Sequence, residues 1–80
     1  MNQENIIRWL KEQMARESET PLDQIKSTDS IARFGIDSVV LVTIAVDLEA
    51  FVGREIDPTI FYEFDTIEEL STYIVAEILS

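Results

Sequence analysis

The chain has 80 residues, 46% of them apolar, with six basic and sixteen acidic side chains and a formal net charge of -10. That length supports one small domain, which buries only roughly 60–65% of the surface of its unfolded chain. With no cysteine and no histidine, it has no disulfide, no thiolate zinc site and no imidazole base, so an independent catalyst is not expected. Neither catalytic residues nor metal ligands are assigned.

No apolar stretch approaches the ~20 residues that cross a bilayer. The start, Met-Asn-Gln-Glu-Asn, lacks the basic head and apolar centre of a secretory signal. A soluble, cytoplasmic, monomeric protein is expected, and Met1 with the compact ends suggests a free-standing one. The charge is unevenly spread. Residues 1–36 hold six acids and five bases, whereas residues 37–69 hold nine acids and one base, Arg54. Such a surface repels nucleic acid and anionic membranes and favours partners with Lys/Arg patches, although acidity also simply keeps small domains soluble.

No repeat or linker interrupts residues 1–80, which read as a single domain with weak strand signals. The first helix is predicted from about Gln3 to Glu17. Ile7, Leu10 and Met14 mark its buried stripe, with Ile6 and Trp9 beside them. A polar connection from Ser18 to Gly35 follows, long for a structureless loop. Leu22, Ile25, Ile31 and Phe34 should anchor it to the core, with a helical turn over Ser30 to Arg33. Gly35 then permits a backbone conformation that other residues resist.

The second helix begins at Asp37 or Ser38, either of which can cap it, and ends near Val52-Gly53. A short third helix opens with Asp57 as cap and Pro58 at the first helical position, and holds Thr59 to about Glu63. The fourth starts at Thr66, where Thr66 and Glu69 form a capping box, and Ile67, Leu70, Ile74 and Ile78 mark its buried face. The fold class is all-α: a small antiparallel-type four-helix bundle of three main helices plus one short helix.

The second helix carries more apolar surface than one core needs. At roughly 100° per residue, Leu41, Ile44, Ala45, Leu48, Phe51 and Val52 fall within an arc of about 120°. Val39, Val42 and Val46 form a second stripe outside it, flanked by Ser38 and Glu49, with Asp47 on the far side. Val42 could tuck against the third helix, leaving Val39 and Val46 exposed. Two exposed valines beside an acidic rim suit a docking surface.

Ser38 has an ordinary explanation as a helix cap. A first-turn position also projects a hydroxyl into solvent, at a helix end whose free N–H groups suit a phosphate. The run Gly35-Ile36-Asp37-Ser38-Val39 resembles the Gly-(Leu/Ile)-Asp-Ser-(Leu/Val) signature of the acyl carrier protein family. Those carriers serve fatty-acid, polyketide and nonribosomal-peptide synthesis. The resemblance extends through Leu48-Glu49 and Gly53 to the run from Pro58 to Leu70, and covers about Pro21 to Ile78.

By that resemblance, Ser38 would be esterified to 4′-phosphopantetheine, taken from coenzyme A by a separate phosphopantetheinyl transferase. The terminal thiol of the arm would carry acyl groups as thioesters, which accounts for thioester chemistry in a protein without cysteine. Asp37 matches the acidic neighbour that helps the transferase and its metal ion engage the serine. Val39 and Val46 match partner-contacting positions, and Ile60, Phe61 and Glu63 match a mobile third helix that completes the surface. With Val42, Asp47 and Glu49 these make up the expected recognition set. Implied partners are an acyl-activating enzyme or acyltransferase, and a ketosynthase or other synthase enzyme with a basic docking patch.

Val40, Leu41 and Thr43 stand where relatives are more charged, and Asp65 stands where many have proline. Arg33-Phe34-Gly35, the valine after the serine and the Pro58-to-Glu63 run resemble polyketide-synthase carriers, some of which receive a starter fatty acid. A peptidyl or aminoacyl carrier shares the fold and the arm and stays open. A more remote reading is an unmodified helical module that binds a partner helix through the valine stripe.

Overall fold

The computed structural model describes residues 1–79. Among them, three α-helices form the body: α1 Gln3–Ser18, α2 Ser38–Val52 and α3 Ile67–Tyr73, the last continuing as a π-helical turn over Ile74–Ile78. α1 starts at a reciprocal cap. The Asn2 side chain accepts from the Asn5 N–H at 2.9 Å, and the Asn5 side chain accepts from the Asn2 N–H at 3.2 Å. The helix closes on Glu19, which adopts a left-handed conformation at φ 56°, a position that favours glycine.

Ile6, Leu10 and Met14 from α1 and Ile67, Leu70 and Ile74 from α3 are all fully buried. They make α1 against α3 the most extensive interhelical packing. Spacing of four residues puts Ile6 in the core stripe and leaves Ile7, the expected core residue, half-buried at its edge. Leu41, Ile44, Ala45, Leu48 and Val52 add the face of α2. Trp9 of α1 stacks on Phe51 of α2 with ring centroids 5.1 Å apart. The one buried polar side chain among the described residues, Ser71, donates to the Glu68 carbonyl at 2.9 Å and accepts from the Gln3 side-chain amide at 3.2 Å. Such pairing removes the cost of burying a hydroxyl.

The long connection is fastened rather than loose. It contains two 3₁₀ turns, Leu22–Gln24 and Ile31–Phe34. Ser30 and Thr66 form a single antiparallel bridge, reinforced by Ile31 N–H to the Asp65 carbonyl at 2.8 Å and Glu68 N–H to the Ser27 carbonyl at 2.9 Å. Ser30 Oγ also donates to Asp65 Oδ1 at 2.9 Å. Asp65, the departure from proline, thus clips the loop to the start of α3. The Thr66–Glu69 capping box forms as expected.

Three further expectations change. The short third helix is a single 3₁₀ turn, Ile60–Tyr62, which begins at Thr59 with no side-chain cap bond of its own, while Asp57 fastens the turn before it by accepting the Thr59 N–H. Pro58 lies in the preceding turn. A segment this short does not recover the cost of helix nucleation. Leu22, expected as a core anchor, is 47% exposed, while Ile25 and Ile31 hold the loop to the core. Ile78 is only half-buried, because the π-turn bond from Leu79 N–H to the Ile74 carbonyl widens the last turn and shares the apolar edge with Leu79.

Leu70→Ala should cost about 3 kcal/mol in urea unfolding, from lost transfer energy plus a cavity. Leu22→Ser should change stability by less than about 0.5 kcal/mol. Equal losses would contradict the burial pattern.

Candidate functional site

Gly35 ends the Ile31–Phe34 turn with φ 63°, a left-handed conformation that strains residues with a Cβ. Ile36 is half-buried beneath the next step of chain. Asp37 then caps α2: its Oδ1 accepts from the Val39 N–H at 2.8 Å, and its carbonyl accepts from the Leu41 N–H at 3.0 Å. Capping is therefore done by the aspartate. Ser38 is the first helical residue and is exposed, and its hydroxyl has no hydrogen-bond partner among the described residues.

This arrangement fits a phosphodiester on Ser38 Oγ. The oxygen is uncommitted, solvent-facing and at a helix N-terminus, where partial positive charge favours a phosphate. Asp37 beside it opposes that attraction, so such a group would be held by its covalent bond and not by a cradle. When bound, the phosphopantetheine group supplies a thiol that carries an acyl group as a thioester.

Below Ser38, the second apolar stripe of α2 is open along its whole length. Val39 is 71% exposed, Val42 39% and Val46 57%, so Val42 is not tucked away. The far end of the stripe meets a shallow depression of about 550 Å³ lined by Val46, Ala50, Gly53 and Arg54 with Glu49 and Glu55. The Ile60–Tyr62 turn packs against α2 from the other side of the connection. Its expected contact residues Ile60 and Phe61 are buried, at 2% and 4% exposure. Tyr62, absent from the expected set, and Glu63 are the exposed side chains there. The short turn points Ile60 and Phe61 inward and leaves Tyr62 outside.

The nine acids of residues 37–69 divide into two groups. Five accept hydrogen bonds that shape the chain: Asp37 from Val39, Glu49 from Ile56, Asp57 from Thr59, Asp65 from Ser30 and Glu69 from Thr66. Asp47, Glu55, Glu63 and Glu68 are exposed, and their carboxylates have no hydrogen-bond or ion-pair partner among the described residues. Of the expected recognition residues, Asp47 and Glu63 are thus uncommitted. Glu49 is half-buried with Oε1 accepting the Ile56 N–H at 3.0 Å, which corrects its reading as a simple rim charge. That donor lies seven residues along the chain, a pairing with no local sequence signal.

Asp57 Oδ1 accepts both the Thr59 hydroxyl, at 2.6 Å, and the Thr59 N–H, at 2.8 Å. These bonds, the hydroxyl first, hold its carboxyl below the usual value, because they favour the charged form.

Comparison with known proteins agrees with this geometry. Residues 8–74 match the family model described as a phosphopantetheine attachment site. The chain belongs to that family: it is a carrier domain, not itself catalytic, for a 4′-phosphopantetheine group. It is similar to polyketide synthase PksM of Bacillus subtilis, with 30% identity over 82% of this chain and 2% of that protein. Its length is therefore a small fraction of that relative. Its fold matches a free-standing peptidyl carrier protein from an uncharacterized Acinetobacter baumannii secondary metabolic pathway, with TM-score 0.84 and 25% identity over 96% of each chain. It also matches the HMG-ACPI domain from the CurA module of Lyngbya majuscula, with TM-score 0.81 and 30% identity over 99% of this chain and 79% of that one. No helix of the described residues is long and apolar enough to cross a membrane.

Asp37→Ala should cost about 1 kcal/mol through loss of the cap, read by urea unfolding. Asp57, with its folded pKa below the unfolded one, contributes stability above the unfolded value and loses it as pH falls through the folded one. The stability gap between parent and Asp57→Asn should accordingly shrink on acidification through the carboxylate range. A gap that widens would contradict the assignment.

Proposed function

We propose that Ser38 Oγ is the attachment point of the phosphopantetheine arm and that the chain carries acyl intermediates in polyketide or lipopeptide assembly. One observation carries the proposal. Asp37 performs the capping, so the adjacent serine hydroxyl is left exposed and uncommitted at the first turn of α2, inside the span that matches the attachment-site family. In the loading step, a bond forms between Ser38 Oγ and a phosphorus of coenzyme A as the pyrophosphate linkage breaks. The serine proton passes to a base of the transferase, and the adenosine-containing half departs.

The chain's own contribution is position and recognition. Val39, Val42 and Val46 offer apolar contact, while Asp47, Glu55, Glu63 and Glu68 supply uncommitted negative charge. That combination suits transferases, acyl-activating enzymes and ketosynthases with basic docking patches, meeting the carrier in brief, salt-sensitive encounters. Likeness to a polyketide synthase supports acyl cargo, and the starter fatty acyl reading rests only on the Arg33-Phe34-Gly35 and Pro58-to-Glu63 runs. Likeness to a peptidyl carrier protein supports a second reading, an aminoacyl or peptidyl cargo on the same arm. Loading assays with acyl- and aminoacyl-activating enzymes separate the two.

Incubation with coenzyme A and a broad-specificity phosphopantetheinyl transferase should add one arm by intact mass, and Ser38→Ala should abolish the shift. An unshifted parent, or a shifted Ser38→Ala variant, would sink the assignment. Asp47→Lys should slow loading at low salt and converge with the parent as salt rises, with unchanged thermal unfolding. Equal rates at low salt would remove Asp47 from the docking surface.

A further inference from the structure

Glu49 sits in the last stretch of α2, half-buried, one residue beyond the core residue Leu48. Gly53, at φ 72°, turns the chain back so that residue 56 comes beside it. Glu49 Oε1 then accepts the Ile56 N–H at 3.0 Å, and Ile56 itself is buried at 5% exposure. From there the order propagates. Asp57 Oδ1 fixes Thr59 through its N–H and hydroxyl, and the Asp57 carbonyl accepts the Ile60 N–H at 3.0 Å. The next residues, Ile60 and Phe61, are buried, and Tyr62 emerges at 60% exposure. Arg54, the sole base of residues 37–69, donates to the Gly53 carbonyl and makes no ion pair with Glu49 among the described residues. The carboxylate of Glu49 is thus committed to a backbone donor, with no cation sharing it.

We propose that Glu49 is a positioning residue: its acceptor oxygen, not its charge, latches the Ile56–Tyr62 segment to α2 and sets the surface that partner enzymes meet. The docking half of this inference rests on the carrier reading above. The latch itself rests only on geometry. A buried N–H that loses its acceptor is costly to leave unpaired, so the segment should open locally when the oxygen is removed. Glutamine retains an acceptor oxygen at the same reach and removes only the charge, which makes the two roles separable.

The test compares Glu49→Gln, Glu49→Ala and Asp47→Asn by amide hydrogen exchange and by transferase kinetics with coenzyme A. Glu49→Gln should keep parental protection at Ile56 and a parental KM for the carrier. Glu49→Ala should speed Ile56 exchange about tenfold, the loss of one hydrogen bond. It should also raise KM severalfold, with kcat and the salt dependence unchanged. Asp47→Asn should leave Ile56 exchange alone and flatten the salt dependence. A Glu49→Gln variant with KM raised as far as Glu49→Ala would overturn the inference, because charge would then be the operative property. So would unchanged Ile56 protection in Glu49→Ala, or an increase spread equally over the core amides of α1 and α3. A parent that accepts no arm would overturn the Ser38 assignment instead, and Ile56 exchange alone would then decide the latch.

Discussion

Carboxylate side chains that accept main-chain N–H groups hold the non-helical part of this molecule in place. The helices supply a core through Ile6, Leu10, Met14, Leu48, Ile67, Leu70 and Ile74, and hydrophobic burial suffices to bring α1 and α3 together. In the connections it anchors Ile25, Ile31, Ile56, Ile60 and Phe61, and the turns between those anchors need a further device. There, acids work at short range: Asp37 starts α2, Glu49 catches Ile56, Asp57 shapes the next turn and Glu69 closes the start of α3. Asp65 joins them through the Ser30 hydroxyl. Each bond uses a carboxylate oxygen as acceptor. A chain with so many acids around short turns is therefore using much of its charge internally.

That division changes what net charge says about partners. A formal -10 creates a negative field at long range, whatever the individual carboxylates do. Close contact is different, since a carboxylate that accepts its own backbone N–H is fixed in place and offers a partner's lysine only its remaining lone pairs. The uncommitted acids, Asp47, Glu55, Glu63 and Glu68, are the ones whose side chains can reorient toward a partner without breaking a bond of the fold. Field and contact thus draw on overlapping but unequal sets of residues.

Much of the fold is legible in the sequence because it rests on local rules. The Thr66–Glu69 capping box, Gly53 after α2 and the apolar spacing of α1 each involve residues within a turn or two. What escapes is governed by longer reach or by short length. Asp65 meets Ser30 from 35 residues away, and no periodicity reports that. Asp57-Pro58 reads as a helix start, yet only Ile60–Tyr62 follows before the chain must enter α3, leaving room for one 3₁₀ turn. Leu22 is apolar by composition but sits on a turn that stands off the core. At the site, Asp37 and Ser38 are interchangeable caps on paper. Only the backbone shows that Asp37 takes the N–H and releases the serine.

That release is the point where fold and chemistry join. A hydroxyl acting as cap would become an ester oxygen on modification, a weaker acceptor for its N–H, at a cost of up to about 1 kcal/mol of helix stability. With Asp37 as cap, the proposed esterification of Ser38 would remove no bond that the fold uses. The exposed valine stripe begins one residue later, on the same helix, so a partner that grips α2 also fixes where the hydroxyl lies. Rigid presentation of an otherwise idle oxygen is what a carrier needs, since reactive groups come from the arm and from the enzymes that meet it. The cost falls on the valines, which stay partly exposed within this chain and would recover that cost under the partner proposed to cover them.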